Sequence, residues 1–299
     1  MNSAFKIINC PVCDSKKFKI LIKSKYSKKI SIKELKKIFN SSSSEFLDQV
    51  VKCLRCNFIY LNPRINENII YQGYSYSPDK RFISQDLLRI KTFKNTINNI
   101  NQIINLNGKK ILDVGSGGGA FLKACKDLNL TAKGIELNKW LVKFGKKKYK
   151  VNIESKNLNQ IKNKYDIVCF FDVLEHIPNL HKTISQTHNI LNKKGFIIIN
   201  VPDHDSLARK IFKEKWPFYL SVHLHYFTKN SLKKLLGKKY SLIYKKPYWQ
   251  TLSLGYILDR GSKYFNFLKL INKIIYSLNL NNLSLKYNIG QTLFIFEKK

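Results

Sequence analysis

Arginine is nearly missing from a chain that is otherwise strongly basic. Only six of its 54 basic residues are Arg, against 19 acidic residues, for a formal net charge of +35. Planar guanidinium forks are the better readers of phosphate and base edges, so their scarcity argues against a dedicated nucleic-acid surface. Lys, Asn and Ile crowd the whole chain and share A/T-only codons. Compositional bias therefore accounts for a Lys-rich solvated face without any partner; an electrostatic role toward nucleic acid, anionic glycan or membrane is the alternative. Proline (7) and glycine (13) are few in 299 residues, which excludes collagen-like and linker-type chains, while 44% hydrophobic content supports a buried core. No run approaches the roughly 18 uninterrupted apolar residues of a membrane-crossing helix, and the opening MNSAFKIINCPVC lacks the apolar centre of a secretory signal. These absences lead to the expectation of a cytoplasmic globular protein with one large domain and a small one.

Cysteine is sparse as well, with six residues, yet four of them are paired by spacing. Cys10 and Cys13 form CPVC, and Cys53 and Cys56 form CLRC, whereas Cys125 and Cys169 stand alone in apolar surroundings. Two CxxC knuckles suit a closed tetrahedral Zn2+ site, and in a reducing compartment disulfides are the weaker alternative. No His or carboxylate replaces a ligand, so the expected metal is structural and residues 1–65 are expected to be a zinc-ribbon-like module. Between the knuckles lie a Lys-rich amphipathic stretch (residues 31–39) and a serine run (residues 41–44), read as an inserted helix and a loop.

Residues 66–84 are polar and Tyr-rich and read as a linker or lid in which Tyr71, Tyr74 and Tyr76 are candidates to close over a ligand. From Phe82 to Ile104 apolar residues recur at helical spacing, the large domain being expected over residues 85–299, and from Lys110 the period changes. KKILDVGSGGGAF is a short buried strand entering a glycine cluster. It is followed by a helix, the strand TAKGIEL, the strand YDIVCFFD, a helix over about 180–191, the strand GFIIINVP, a helix near 231–236 and the strand QTLFIFEKK. This alternation predicts an α/β fold with a largely parallel sheet, its ligands at the carboxyl ends of the strands. A helical insertion is expected at about 255–288, where Tyr264, Phe267, Leu268, Ile271, Ile275 and Leu278 share one face. It is read as a packing helix walling an acceptor site, with peripheral membrane contact as the alternative.

The chemistry concentrates at residues 113–119, DVGSGGG. Gly115, Gly117 and Ala120 satisfy the GxGxxG/A dinucleotide turn, and Glu136 has the spacing of a ribose-binding acid. Asp113 favours a different ligand. A carboxylate at the strand end would meet a pyrophosphate as like charge, whereas S-adenosylmethionine presents a cationic amino group and a sulfonium. Together with YDIVCFFDVLEHIPNL, these segments resemble the class I S-adenosylmethionine-dependent methyltransferases. That resemblance implies a Rossmann-like, mostly parallel seven-stranded sheet. It also implies that Asp113, Gly115, Gly117 and Gly119 line the methionine and ribose side, that Glu136 holds the ribose diol and that Leu137 lies against the adenine. Asp172 would face the sulfonium, and Asn157 stands where the family has an Asp near the adenine amino group. The layout further resembles a subgroup with an N-terminal zinc module, a Tyr-containing lid and the pattern HLHYFT, here residues 223–228; its members commonly methylate small molecules, including sugars.

Methyl transfer needs an aligned acceptor and a base for its proton, and a His near neutral pKa is economical. His223 and His225 are the first candidates and His176 of LEHI the third, with a structural role for His225 the competing reading. Asp203, His204, Asp205 and Glu214, with Trp216, Phe218 and Tyr219, are placed where α/β enzymes keep acceptor pockets. The expected acceptor is a small molecule such as a sugar or nucleotide-linked sugar. The alternatives are an RNA or protein methyltransferase and a non-catalytic zinc-dependent binding protein on the same fold.

Overall fold

The structure is a computed structural model and describes residues 4–26, 31–38, 46–75 and 78–299; Phe39, the serine run 41–44 and Tyr76 lie outside the described residues. The N-terminal part contributes β1 (Phe5–Lys6), β2 (Phe18–Ile22), α1 (Ile32–Ile38), β3 (Val50–Cys53), β4 (Ile59–Leu61) and β5 (Arg64–Ile65). The stretch expected as a linker carries helices α2 (Glu67–Ser75) and α3 (Lys80–Ile83), and α4 (Asp86–Asn101) follows. Asp79 explains the helix start there, because its side chain accepts from the Phe82 amide at 3.0 Å and satisfies a donor the first turn leaves over.

The remainder alternates as anticipated: β6 (Ile111–Val114), α5 (Ala120–Asp127), β7 (Ala132–Ile135), α6 (Lys139–Tyr149), β8 (Ile153–Glu154), β9 (Tyr165–Phe171), α7 (Leu180–Ile190) and β10 (Leu191–Pro202). Then come α8 (Leu207–Phe212), β11 (His225–Tyr226), α9 (Lys229–Leu236), β12 (Tyr240–Pro247), β13 (Gln250–Ser253), α10 (Leu254–Gly261), α11 (Phe267–Ser277), β14 (Ser284–Tyr287) and β15 (Gln291–Lys298). Local chemistry fixes several starts. Asn138 accepts from the Trp140 and Leu141 amides to open α6, and Thr228 and Ser231 form a reciprocal capping box for α9.

The central sheet has seven strands in the order β12-β15-β10-β9-β6-β7-β8, with β15 antiparallel to both neighbours and the other six strands running one way. Its middle strands read as near-continuous apolar runs because both faces are covered. Val168, Phe170, Ile197, Ile199, Phe294 and Phe296 pack into one core with side chains of α7 and α9. Ile167, Cys169, Ile198 and Ile295 pack into the other with α4 and α5, and Cys125 lies there too. The chain leaves β6 toward β7 and β8 and returns on its other side as β9 and β10, so the strand order reverses at the carboxyl end of β6. A crevice for a ligand opens at such a switch point.

A second sheet, β11-β4-β3-β2, joins the N-terminal strands to the distant segment 225–226 through the pairs His225↔Tyr60 and Tyr226↔Ile59. Cys10, Cys53, Phe58 and Tyr60 belong to the same apolar cluster as the central sheet. The stretch read as a helical insertion carries α10 and α11 and ends in strand β14, and only part of the expected apolar stripe packs. Tyr264, Leu268 and Ile275 are half-buried, whereas Phe267, Leu270, Ile271, Ile274 and Leu278 remain exposed, and no residue of α11 is buried.

Candidate active site

Strand β6 delivers the buried Asp113 to the switch point, and the chain turns through Gly115, Gly117 and Gly119 at φ of 70°, 52° and 83° before α5 begins. At those φ values a side chain is strained. A Cβ on Gly115 would also lie 2.6 Å from Val173 Cγ2, so the close packing of this turn on the segment after β9 requires glycine.

The turn's amides are largely consumed within the protein. Gly115 and Ser116 N–H groups donate to the Ile135 carbonyl at 2.8 and 3.1 Å, Gly119 N–H to the Ser116 carbonyl at 2.9 Å, and Gly117 N–H to Glu136 Oε2 at 2.9 Å. A phosphate-binding turn needs those donors free. In their place stand two buried carboxylates. Burial raises Glu136 above the usual carboxylate range despite its bonds to the Asn138 and Gly117 amides and the Tyr74 hydroxyl. Asp113 is pushed up further, first by desolvation and then by the nearby Glu136 charge. Two crowded acids gain most from a cationic ligand.

The other predicted donor-side residues lie on the segments that follow β7, β8 and β9. Leu137 is half-buried directly after β7, and Asn157 is exposed at the start of a short 3₁₀ turn, its backbone N–H donating to Gln160 Oε1 at 2.8 Å. Asp172 follows β9 at φ 57° and accepts from Asn200 Nδ2 at 2.8 Å and Gln291 Nε2 at 2.5 Å; desolvation raises its pKa to about 6. The segment expected as a lid does reach the site. The Tyr74 carbonyl accepts from Asn138 Nδ2 at 2.9 Å, while Tyr71 is largely exposed. Phe82 of α3 sits 3.0 Å from where a Gly117 Cβ would be, and the Arg89 guanidinium lies 4.0 Å from the centre of the Phe82 ring.

The three candidate histidines separate into a pair and a single. His176 and His223 rings meet edge to face at 4.8 Å, and each Nδ1 lies 2.8 Å from a backbone carbonyl, of Val222 and Phe218 respectively. A carbonyl can only accept, so each Nδ1 carries the proton and each Nε2 keeps its lone pair. One nitrogen of each ring and one oxygen of Glu175 lie within 4.8 Å of one another. Both Glu175 carboxyl oxygens are buried with no hydrogen-bond partner among the described residues, and desolvation raises that acid well above its ordinary range. Burial holds His176 down at about 4 and holds His223 well below the usual imidazole range.

His225 does not join this group. Its ring lies between Phe58 and Phe227, its Nε2 donates to the Ile177 carbonyl at 2.9 Å, its Nδ1 is buried with no partner among the described residues, and desolvation lowers its pKa to about 3. Its strand pairing with Tyr60 is what sets it apart from His223 two residues earlier. The acceptor-side loop disperses similarly. His204 is buried with Nε2 2.9 Å from the Tyr219 hydroxyl, and Asp203 accepts from Thr292 Oγ1 at 3.2 Å. A cleft of about 700 Å3 opens beside His204 and Asp205, lined by Lys19, Lys52, Arg209 and Lys233 among others and by none of the glycine-turn residues.

The four paired cysteines come together. Their Sγ atoms all lie within 4.8 Å, with Cys10–Cys56 at 3.5 Å and Cys13–Cys53 at 3.6 Å. Sulfurs about 2.3 Å from a tetrahedral zinc would stand roughly 3.8 Å apart, and a disulfide requires about 2.05 Å. Each knuckle is closed by the same device. Asp14 and Asn57, both at positive φ, donate N–H to the Cys10 and Cys53 carbonyls at 2.9 and 3.0 Å. Amides of Val12 and Cys13 point at the Cys10 sulfur, and those of Arg55 and Cys56 at the Cys53 sulfur. Burial raises the Cys10 thiol above its usual range and those amides oppose the rise, while Cys53 is lowered to about 7; the four-sulfur donor set fits a closed zinc site.

A family model described as a methyltransferase domain matches residues 88–240, just over half of the chain, and the chain belongs to that family. An uncharacterized protein of Methanocaldococcus jannaschii is 36% identical over 100 residues, covering 33% of this chain and 44% of that protein. The ubiquinone biosynthesis O-methyltransferase of Glaesserella parasuis is 30% identical over 118 residues, covering 34% and 48%. The chain spans about half the length of the curated relatives it matches. Among solved structures, a SAM-dependent methyltransferase from Archaeoglobus fulgidus is 20% identical, covers 74% of this chain and 100% of its own, and superposes with a TM-score of 0.49.

Glu175, Asn200, Gln291 and Phe82 escaped the sequence reading. Glu175 stood beside a candidate His in the quoted motif, so adjacency was an available clue. Gln291 meets Asp172 only because β15 inserts beside β10, a pairing no local pattern announces.

Proposed function

We propose that this chain transfers a methyl group from S-adenosylmethionine to a small-molecule acceptor, and that the donor occupies the crevice above the glycine turn. The observation that carries the reading is the combination of spent amides and two buried acids at that turn. Such a site repels a pyrophosphate and suits a cation. Asp113 lies toward the amino group, Glu136 with Tyr74 toward the ribose hydroxyls, and Leu137 and Asn157 toward the adenine. Asp172, steadied by Asn200 and Gln291, faces the reacting centre. When bound, S-adenosylmethionine supplies an electrophilic methyl whose leaving group is a neutral thioether.

The protein's own part is alignment and deprotonation. His223, with His176 beside it, offers an unprotonated Nε2 at neutral pH. A proton taken from an acceptor hydroxyl produces an imidazolium next to Glu175, and that positive charge in turn favours the ionised form of the buried Glu175 carboxyl. His225 serves instead to tie β11 to the loop after β9. The basic cleft beside His204 and Asp205 supports an acceptor with an anionic handle, such as a nucleotide-linked sugar. Cys10, Cys13, Cys53 and Cys56 would hold one structural zinc, which contributes stability rather than chemistry.

Incubation with isotopically labelled donor and a panel of nucleotide sugars, read as mass shift, tests the acceptor. One labelled product formed by the wild type and lost in His223→Ala is expected. Labelling of RNA or protein in place of every small molecule would contradict the acceptor class.

A further inference from the structure

Helix α11 carries an apolar face that no described residue buries. Phe267, Leu270, Ile271, Ile274 and Leu278 fall within about 100° of one another around the helix axis at 3.6 residues per turn. They are 64%, 65%, 39%, 49% and 59% exposed. The opposite edge of the stripe, at Leu268 and Ile275, is half-buried, so the helix is anchored to the molecule and presents the rest outward. Helix α8 touches the start of this region through the Phe212–Phe265 ring contact at 5.9 Å, and its own Leu207 and Ile211 are 73% and 65% exposed. A contiguous display of this kind on a protein surface marks an interaction site.

Charge decides the occupant. Between Gly261 and Gly290 there are four lysines, Lys263, Lys269, Lys273 and Lys286, and no acidic residue. The molecule as a whole carries +35, which opposes pairing with a second copy of itself. Large apolar side chains on one side of a helix with lysines on its flank match the requirements of an interfacial helix lying on an anionic bilayer, where apolar burial and attraction to lipid headgroups act together. We propose that α11 docks this protein on anionic membrane surfaces. The inference stands apart from the methyl-transfer reading, because it rests on no residue of the crevice.

Co-sedimentation of the full chain with phosphatidylcholine vesicles, with and without phosphatidylglycerol, tests it. Three proteins are compared: the wild type, Leu270→Glu/Ile274→Glu, and Lys193→Gln/Lys194→Gln, which makes an equal charge change at two exposed positions away from the helix. The expected result is partition to phosphatidylglycerol vesicles by the wild type and the lysine variant, reduced tenfold or more in the leucine–isoleucine variant. Three outcomes would overturn the proposal: no partition to anionic vesicles, equal partition by all three proteins, or equal partition to neutral vesicles. A dimer that dissociates in the Leu270→Glu/Ile274→Glu variant, with no vesicle binding by the wild type, would assign the face to a second copy instead.

Discussion

Asp113 is the residue whose environment makes the largest demand. Burial and the nearby Glu136 charge push this 2% exposed carboxyl above its ordinary range, so a positive ligand group gains most by favouring its ionised form. Asp113→Asn removes that attraction without changing shape, and the donor should bind at least tenfold more weakly, about 1.4 kcal/mol or more by titration calorimetry. His223→Ala should behave differently, lowering turnover by roughly 100-fold while donor affinity stays within a factor of two. An equal loss in both parameters would make His223 a structural residue. His225 makes a pH prediction with a definite sign. Its pKa is about 3 in the fold and about 6.5 in the unfolded chain, so it is neutral when folded and charged when unfolded between those limits. Its contribution to stability is full above pH 6.5 and falls as pH drops through that window by about 1.4 kcal/mol per unit. His225→Leu should therefore lose less stability than the wild type between pH 7.5 and 5, by about 2 kcal/mol in denaturant titrations at the two pH values. Parallel losses in the two proteins would contradict the assignment.

At the scale of elements, the glycine turn and the segments packed on it act as one unit. Gly115 combines φ 70° with Val173 at 2.6 Å from a would-be Cβ, so Gly115→Ala must displace the segment leading to Glu175 and His176. The expected effects are a stability loss of about 1–3 kcal/mol and weakened donor binding, measured by thermal melts and calorimetry. Much of this unit was legible in the sequence because the necessary information is local. A buried strand, three glycines and a following helix occupy consecutive residues, and period alone placed β6, β7, β9, β10 and β15. What was not legible came from pairing over distance. The residues read as a linker fold as α2 and α3, and Phe82 reaches Gly117 across 35 positions of sequence. Which of His223 and His225 joins His176 and Glu175 depends on which of them pairs with Tyr60, and two histidines at i, i+2 look alike until β11 is placed. For α11 the apolar stripe was visible, but the boundary between its packed and exposed edges depends on what α10 and α8 cover.

For the whole molecule, the N-terminal knuckles and the central sheet share one apolar cluster, and β4 pairs with β11 from the later part of the chain, so loosening one should be felt by the other. Elemental analysis is expected to return about one zinc per chain. Chelation should lower the melting temperature, because the free energy of metal binding to the assembled cysteines is part of the folding free energy and is lost with the ion. Melting that is unchanged after complete metal removal would take away the structural role. The account as a whole depends on a cationic donor in the crevice at β6. Its most direct test is calorimetric titration of the wild-type chain with S-adenosylmethionine and, separately, with NAD. One saturable site per chain for S-adenosylmethionine, with no heat from NAD, is the predicted result; saturable binding of NAD with no response to S-adenosylmethionine would contradict it.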